Sequence, residues 1–198
     1  VSTKAQLPVL SHFFLSCEKN SLNICSTNLE TSVSISLGAK VTKEGSITVP
    51  ARILAEIVSG LKSGKLDLEA KDERLIVSND SFSSNIAGML SSEFPSITRQ
   101  LPKESFTVDK DPLFSSLAQV VFAAGIDESR PVLTGVLFIL DKDKTTLVAT
   151  DGFRLSKKDI SVKSGVQKQL KLIVPARFIS DMTAGFFEED TDVKFSLA

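Results

Sequence analysis

The chain has 198 residues, of which 23 are basic and 24 acidic, and its formal net charge is −1. This length allows one or two domains with substantial cores, whereas the near-zero charge offers no overall attraction for a polyanion, so a role on nucleic acid depends on where the basic residues lie. No apolar run approaches the ~18 residues of a membrane span and no leader-like segment begins at Val1, which together predict a soluble, intracellular protein.

The first 40 residues have the alternating pattern of antiparallel strands. Strands are predicted over 12–17, 22–27 and 32–37, the first two joined by a hairpin turn at 18–21. If Cys17 faces Leu22, then Cys25 faces Phe14, roughly three residue steps or ~10 Å along the ladder. Because a disulfide cannot span that separation, both cysteines are predicted to be buried free thiols. The single His12 alternates with apolar residues, which predicts a core or sheet-face residue rather than a catalytic base.

The segment Val49–Arg52 (VPAR) predicts the start of a helix, since proline is tolerated in the first turn. Apolar residues follow at helical spacing and form one predicted buried stripe: Ile53, Leu54, Ile57, Val58 and Leu61. Gly64 is predicted to close this helix. Further strands are predicted over 65–70, 74–78 and about 83–90, followed by a linker rich in Ser, Pro and charged residues over 91–102.

The second half begins with a short predicted strand over 106–109. Asp111 caps a predicted helix with Pro112 at its first position, and its buried face contains Leu113, Phe114, Leu117, Val120 and Val121. A later buried strand, 147–150, breaks at Asp151-Gly152, a strong turn signal because glycine accepts a positive φ. Phe153, Arg154 and Leu155 follow the turn. They form either a shallow site for an apolar ligand with a polar end, or a plain β-turn with a core Phe and a core Leu.

The second half also repeats the first. Pro8-Val9-Leu10 recurs at 131–133 and Thr27-Asn28 recurs as Thr150-Asp151, both 123 residues later, while VPAR recurs at 174–177 after 125 residues. Two copies of one α+β unit, each about 120 residues long, are therefore predicted. The first copy is expected to lack the strand and helix that open the second, and the second to end one or two strands early, as in a fragment.

Each VPAR helix carries an arginine in its first turn, clear of the apolar stripe. Arg52 and Arg177 occupy equivalent positions, and such a pair predicts contacts to phosphates that read no bases; the alternative is a pair of solvated surface residues. Glu56 and Asp181 lie on the same helix faces, so the predicted attraction for DNA is weak.

Several motifs together resemble the bacterial sliding clamps, the beta subunits of DNA polymerase III. In the second copy these are SRPVLTGVLF (129–138), TLVATDGFRLS (146–156) and VPARF (174–178), and in the first copy LPVL (7–10), TVPARILAEI (48–57) and SSEFP (91–95). The resemblance implies tandem α+β clamp domains, 1–101 and 102–198, with antiparallel sheets outside and helices lining a concave inner face. A third domain of the family is absent from this sequence.

The resemblance also implies a function. Two three-domain subunits would close head to tail into a ring that encircles duplex DNA without sequence preference. The ring would act as a processivity factor in the cytoplasm, at the nucleoid, and would tether the polymerase III alpha subunit, the clamp loader and other proteins that dock a short apolar peptide. No catalytic residue, cofactor or metal is implied.

Carried over by position, the resemblance implies three sets of site residues. The second-domain half of the peptide groove would contain Leu133, Thr150, Gly152, Phe153, Arg154 and Leu155. The DNA-facing residues would be Lys4, Arg52, Arg130 and Arg177. The first-domain side of the subunit interface would contain Ile57, Leu61 and Ile86, for which ordinary core packing is an equal alternative.

Two other functional classes are weighed against this prediction. An enzyme is disfavoured, because no G-x-S-x-G, H-E-x-x-H or paired-cysteine metal spacing occurs, and the segment 60–65 lacks the first glycine and the Ser/Thr of a phosphate loop. A non-encircling adaptor that binds peptides is compatible with the net charge. The two matched VPAR arginines argue against it, since a pure adaptor has no need of them.

Overall fold

A computed structural model describes residues 7–97, 105–108, 110–161, 166, 168–184 and 193–196. The chain divides into two compact units, Val1–Arg99 and Gln100–Ala198. Every named strand pair in both units is antiparallel, which confirms the predicted α+β class with antiparallel sheets.

In its described residues the first unit contains two sheets and one α-helix. The strands are β1 (His12–Glu18), β2 (Ser21–Thr27), β3 (Ser32–Gly38), β4 (Gly45–Pro50), β5 (Asp67–Lys71), β6 (Arg74–Asn79) and β7 (Phe82–Ala87), and the helix is α1 (Ala51–Gly60). The larger sheet has the order β3-β2-β1-β4 and the smaller one β5-β6-β7. Short 3-10 helices cover Pro8–Ser11 and Ser91–Glu93.

The second unit repeats this plan. It contains β8 (Ser105–Val108), α2 (Lys110–Val121), β9 (Gly135–Leu140), β10 (Thr145–Thr150), β11 (Leu155–Ile160), β12 (Leu170–Pro175), α3 (Ala176–Thr183) and β13 (Val193–Ser196). The sheet order β11-β10-β9-β12 is that of the first unit, and β13 pairs with β8. Since β1 and β9 begin 123 residues apart, and α1 and α3 begin 125 residues apart, the predicted duplication is confirmed at the level of whole elements.

The sequence did not predict the strands that lead into α1 and α3. β4 and β12 end at Pro50 and Pro175, and each runs directly into the helix that follows. The VPAR segment therefore straddles a strand and a helix, because the proline closes the strand and precedes the first helical residue. β4 pairs with β1 and β12 pairs with β9, and in each pair the proline lies at the end of the ladder, where its missing N–H interrupts no inner hydrogen bond.

The stripe predicted for α1 is only partly correct. Ala51 and Leu54 are buried, whereas Ile53 and Val58 are 47% and 46% exposed. Consecutive residues lie about 100° apart around a helix, so Ile53 and Leu54 cannot both face one narrow contact with a sheet. The helix also ends at Gly60 rather than at Gly64, and Leu61 follows it as the C-cap residue.

The core of the first unit lies between its two sheets and α1. Buried apolar residues from all three form one cluster: Leu15, Ile47, Val49, Leu54, Leu75, Val77 and Ile86. The two sheets are joined at Thr48, whose N–H donates to the Met89 carbonyl at 3.2 Å while the Met89 N–H donates back at 2.9 Å. A methyl group at Gly88 would contact the Thr48 carbonyl oxygen, so this junction requires glycine.

The cysteine register is confirmed, since Cys17 lies opposite Leu22 and Phe14 opposite Cys25. Both cysteines are free, but only Cys25 is fully buried; Cys17 is half-buried at the sheet end. His12 is buried as predicted, with Nδ1 3.0 Å from the Pro8 carbonyl oxygen.

Candidate functional site

The loop between β10 and β11, residues 151–154, is held by a carboxylate. Asp151 Oδ1 accepts the backbone N–H groups of Phe153 and Arg154, both at 2.9 Å, and Oδ2 accepts Arg154 Nε at 3.0 Å. These hydrogen bonds hold the pKa of the Asp151 carboxyl below its ordinary value, the backbone N–H of Arg154 being the largest cause and that of Phe153 the next. One carboxylate therefore fixes both the loop backbone and the arginine side chain.

Thr150 closes the same loop from its other side. Its hydroxyl donates to the Arg154 carbonyl oxygen at 2.6 Å and accepts the Gly152 N–H at 3.1 Å. Gly152 has φ +92°, a conformation that glycine adopts without a Cβ penalty. Both hydrogen bonds of the Thr150 hydroxyl stay within the loop, so its methyl group is the part of the side chain left for the groove that the sequence predicts.

Phe153 and Leu155 project from this loop into solvent. Phe153 is 97% exposed and Leu155 is 65% exposed. The alternative in which both belong to the core is therefore wrong. Because the loop backbone is fixed by Thr150 and Asp151, the two apolar side chains are presented on an ordered support, which lowers the entropy cost of a ligand contact.

A second segment lies against this loop. The residues after α2 turn back so that the Gly125 N–H donates to the Leu133 carbonyl at 2.8 Å. A methyl group at Gly125 would come within 3.7 Å of Asp151 Cα, so the two segments touch through their backbones. Leu133, one of the predicted groove residues, is half-buried at this junction.

This second segment adds apolar surface that the sequence did not reveal. Phe122 is 59%, Ile126 97% and Val132 68% exposed. The Arg154 guanidinium lies 5.7 Å from the centroid of the Phe122 ring, a cation–π distance. Phe122 was missed because it follows the apolar stripe of α2 directly and resembles one more core residue.

Arg130, one of the residues predicted to face DNA, lies beside the β10–β11 loop. A methyl group at Gly152 would be 3.9 Å from Arg130 Nη1. The turn that carries Arg130 is closed by the Arg130 N–H, which donates to the Asp127 carbonyl at 3.1 Å, and by Asp127 Oδ1, which accepts the Ser129 N–H.

The residues of the β10–β11 loop and of the segment against it form one surface, which is called the groove surface below. It consists of Phe122, Arg130, Val132, Leu133, Gly152, Phe153, Arg154 and Leu155.

The basic helix residues lie where the sequence placed them. Arg52 is exposed in the first turn of α1, and its Nε donates to Glu56 Oε1 at 2.8 Å in an i,i+4 ion pair. Arg177 is exposed at the equivalent position of α3, and the described residues include no ion-pair partner for it. Lys4 lies outside the described residues.

The three predicted interface residues differ in burial. Ile57 packs partly against the core of the first unit, and Leu61 is half-buried at the end of α1. Ile86, on β7, is only 3% exposed and belongs to the core of the first unit, so the core alternative holds for it and the interface assignment is corrected. A side chain buried within its own unit has no area left to bury against a partner.

Two kinds of feature are absent from the described residues. No three His, Cys, Asp or Glu side chains in the described ranges are grouped as metal ligands would be. No helix among those ranges has the length and apolar character that a membrane span requires.

Comparison with protein-family models gives a match in each half of the chain. Residues 1–98 match the N-terminal domain of the DNA polymerase III beta subunit, and residues 107–198 match its central domain. The chain belongs to the DNA polymerase III beta subunit family.

Members of this family are similar over nearly the whole chain. The beta sliding clamp of Micrococcus luteus is 29% identical over 92% of the chain and 59% of its own length, and that of Streptomyces coelicolor is 30% identical over 88% of the chain and 46% of its own length. A sliding clamp of Pseudomonas aeruginosa solved bound to griselimycin has a TM-score of 0.88 at 26% identity, over 100% of this chain and 54% of that one. The chain therefore spans about half the length of the relatives that it matches.

Proposed function

We propose that this chain is part of a DNA sliding clamp, a processivity factor that encircles duplex DNA and tethers the replicative polymerase. Family membership of both units supports this proposal, because the two matched domains follow each other in the order N-terminal, then central. The complete protein would close as a head-to-tail dimer around DNA, with 1–101 and 102–198 as its first two domains, in the cytoplasm at the nucleoid.

The single observation that carries the recruiting part of the proposal is the exposure of Phe153 and Leu155 on an ordered loop. A protein surface that shows aromatic and aliphatic side chains around a fixed backbone is typical of peptide-binding sites. The second-domain half of a peptide groove would consist of the groove surface, with Thr150 as its support. The griselimycin-bound clamp of Pseudomonas aeruginosa is consistent with a ligand site on this fold.

The occupants of that groove would be apolar peptide segments of the polymerase III alpha subunit, the clamp loader and other clamp-binding proteins. An apolar anchor buried between Leu155 and Phe153 would contribute most of the affinity. The remaining contacts of the groove would come from a third domain, since only one side of such a groove can be formed by this unit.

The DNA-facing part of the proposal rests on Arg52 and Arg177, which occupy equivalent first-turn positions on α1 and α3. Lys4 is included by resemblance. Exposed arginines on helices give phosphate contacts without base reading. The Arg52–Glu56 pair would reduce the local attraction, which suits a protein that slides and is retained by enclosure.

We assign no catalytic step to this chain, and the proposal uses no cofactor. A non-encircling adaptor of the same fold is the alternative function. It is favoured only if Arg52 stays paired with Glu56 when DNA is present, since an arginine neutralised by its own helix has little left for a phosphate.

The test uses the full-length protein loaded onto circular DNA. A clamp stays bound to a nicked circle after a high-salt wash and leaves it once the circle is cut by a restriction enzyme. An adaptor is lost from both forms at the same rate. Peptide binding, measured separately by fluorescence anisotropy, distinguishes an adaptor from a protein with neither activity.

A further inference from the structure

The loop between β2 and β3, residues 28–31, displays a leucine in an unfavourable conformation. Leu29 has φ +75° and is 63% exposed. Among the described residues, the other non-glycine residues with positive φ are all charged: Lys19, Asp72 and Glu73. A left-handed backbone brings the Cβ of Leu29 close to a carbonyl oxygen, and water disfavours its apolar side chain. An exposed residue held in a costly conformation is typical of functional sites.

Hydrogen bonds hold this loop without any contribution from the Leu29 side chain. Asn28 Oδ1 accepts the N–H groups of Glu30 at 3.0 Å and of Thr31 at 2.7 Å. On the other side of the loop, the Ser32 hydroxyl donates to Thr27 Oγ1 at 2.8 Å. The leucine is therefore presented on an ordered support, which lowers the entropy cost of a contact with a ligand.

A second exposed leucine belongs to the same surface. Leu7 is 50% exposed and precedes the first 3-10 helix, where its carbonyl accepts the Leu10 N–H at 3.1 Å. The counterpart of Leu7 in the second unit is Arg130, at the offset of the duplication, and the counterpart of Leu29 is Gly152. Arg130 Nη1 would lie 3.9 Å from a methyl group on Gly152. The shared plan of the two units therefore places Leu7 beside the β2–β3 loop.

Glu30 gives this surface a negative charge that its own hairpin does not neutralise. It is the only charged residue in 20–39, a segment that contains β2, the loop and β3. Its side chain is exposed, and in the part of the chain that the structure describes the carboxylate has no hydrogen bond or ion pair. A ligand that buries an apolar side chain on the two leucines brings its neighbouring residue to this carboxylate, which favours a base there.

We propose that Leu7, Leu29 and Glu30 form a second docking site, in the first unit, for extended peptide segments that carry lysine or arginine beside an aliphatic or aromatic residue. The site goes beyond the proposed function, which assigns peptide binding to the groove surface of the second unit. The apolar side chain of the segment covers the two leucines, and the base pairs with the Glu30 carboxylate. A neutral apolar segment fills the site poorly, because two leucines alone offer little apolar area. A polyanion such as DNA is repelled.

The test is a two-dimensional NMR titration of the isotope-labelled full chain, in which the amide resonances of each loop report binding separately. The probes are ten-residue Gly/Ser peptides that contain one leucine–phenylalanine pair with lysine, glutamine or glutamate directly beside it. We expect the lysine peptide to shift the amides of residues 29–31 with an affinity about two- to fivefold higher than that of the glutamine peptide, as for an exposed ion pair. The glutamate peptide binds there most weakly.

Two variants and a matched control identify the groups involved. Glu30→Gln removes the preference for lysine, whereas Glu69→Gln, at an exposed carboxylate on β5 of the smaller sheet, keeps it. Leu29→Gly deletes the apolar contact, and Gly152 shows that glycine supports the same loop at positive φ. We expect Leu29→Gly to keep the thermal unfolding temperature of the parent and to bind the lysine peptide about five- to tenfold more weakly at this loop.

The outcomes distinguish this site from the groove surface. Equal affinity of the lysine and glutamine peptides at the amides of 29–31 overturns the proposal, and so does a lysine preference that survives in Glu30→Gln. Shifts at Phe153 and Arg154 with none in 29–31 also overturn it and leave the proposed groove in place. Lysine-selective shifts in 29–31 with none at Phe153 and Arg154 support the second site and overturn the groove assignment.

Discussion

Thr27 and Thr150, 123 residues apart, make the same pair of hydrogen bonds in the two units. The Thr27 hydroxyl donates to the Thr31 carbonyl and accepts the Leu29 N–H, both at 3.0 Å, as the Thr150 hydroxyl does for Arg154 and Gly152. The following residue acts alike in both loops, because Asn28 Oδ1 accepts two backbone N–H groups just as Asp151 Oδ1 does. The loop scaffold is therefore shared, and the groove surface differs in the side chains that the loop displays and in the segment that lies against it.

The equivalent loop of the first unit provides a control for the apolar contact that we propose for Leu155. We expect Leu155→Ala to weaken apolar-peptide binding by ~1–3 kcal/mol, since it removes an exposed anchor at the centre of the groove surface. Leu29→Ala, at a similarly exposed leucine of the first unit's loop, leaves the affinity unchanged. Both are read by anisotropy with thermal unfolding as a check on folding. Unchanged affinity in Leu155→Ala removes the site assignment.

The lowered pKa of Asp151 predicts that the β10–β11 loop changes with pH. Its folded pKa is lowered, so the stability that it contributes to the loop is fully present above the unfolded pKa of about 3.9 and is lost as the pH falls through the folded value. The amide resonances of Phe153 and Arg154 therefore shift with one midpoint below 3.9 in a two-dimensional NMR titration.

Asp151→Asn provides the matched comparison, because Asn28 shows that an amide oxygen supports the same loop backbone. We expect the variant to keep the fold and to lose the acidic midpoint, while the Arg154 side chain loses its ionic partner. A midpoint at or above 3.9 in the parent, or one that survives in Asp151→Asn, contradicts the assigned role.

The basic helix faces are tested on DNA. In the full-length protein, the double variant Arg52→Glu with Arg177→Glu shortens retention on nicked circles, because two phosphate contacts become repulsive. Peptide affinity stays at the parent value. The charge-matched double variant Arg74→Glu with Lys142→Glu changes two exposed cations away from α1 and α3 and retains parent behaviour. Equal retention of all three proteins would refute the DNA-facing role.

Gly135 tests the packing of β9 against β12. A methyl group there would contact Ile173 Cγ2 and lie 2.9 Å from the Val174 carbonyl oxygen, which is backbone and cannot move aside. We expect Gly135→Ala to lower the free energy of unfolding by about 1–3 kcal/mol, measured by urea denaturation. Gly45→Ala, with no atom within 4 Å of the added methyl, is the control and leaves it nearly unchanged. A variant at position 135 as stable as the control contradicts this close approach.

Elements that depend only on a short-range sequence pattern were predicted correctly. The hairpin of β1 and β2 followed from alternation, and α2 from its apolar face, because each is fixed by short-range periodicity. α1 was less well predicted. Ile53 and Val58 match the helical period yet remain exposed, since only the position of the neighbouring sheets decides which part of an apolar arc is covered.

The candidate site shows the same limit. The Asp-Gly turn was evident from two letters, but the approach of Gly125 to Asp151 joins residues far apart in sequence, and no local pattern encodes it. For the same reason the sequence did not place Phe122 or Arg130 beside this loop. Side chains that meet only through tertiary structure require the coordinates.

Because the Thr–Asx hydrogen bonds to the backbone recur in a loop that carries Glu30 and Thr31 where the second unit carries Phe153 and Arg154, those backbone hydrogen bonds do not depend on which side chains these two positions display. What this hairpin recognises therefore depends on its displayed side chains and not on the hydrogen bonds that hold its backbone. Exchanging these two side chains between the loops, with Gly152 kept in place, would change what the surface can bind and leave the backbone hydrogen bonds of the hairpin intact.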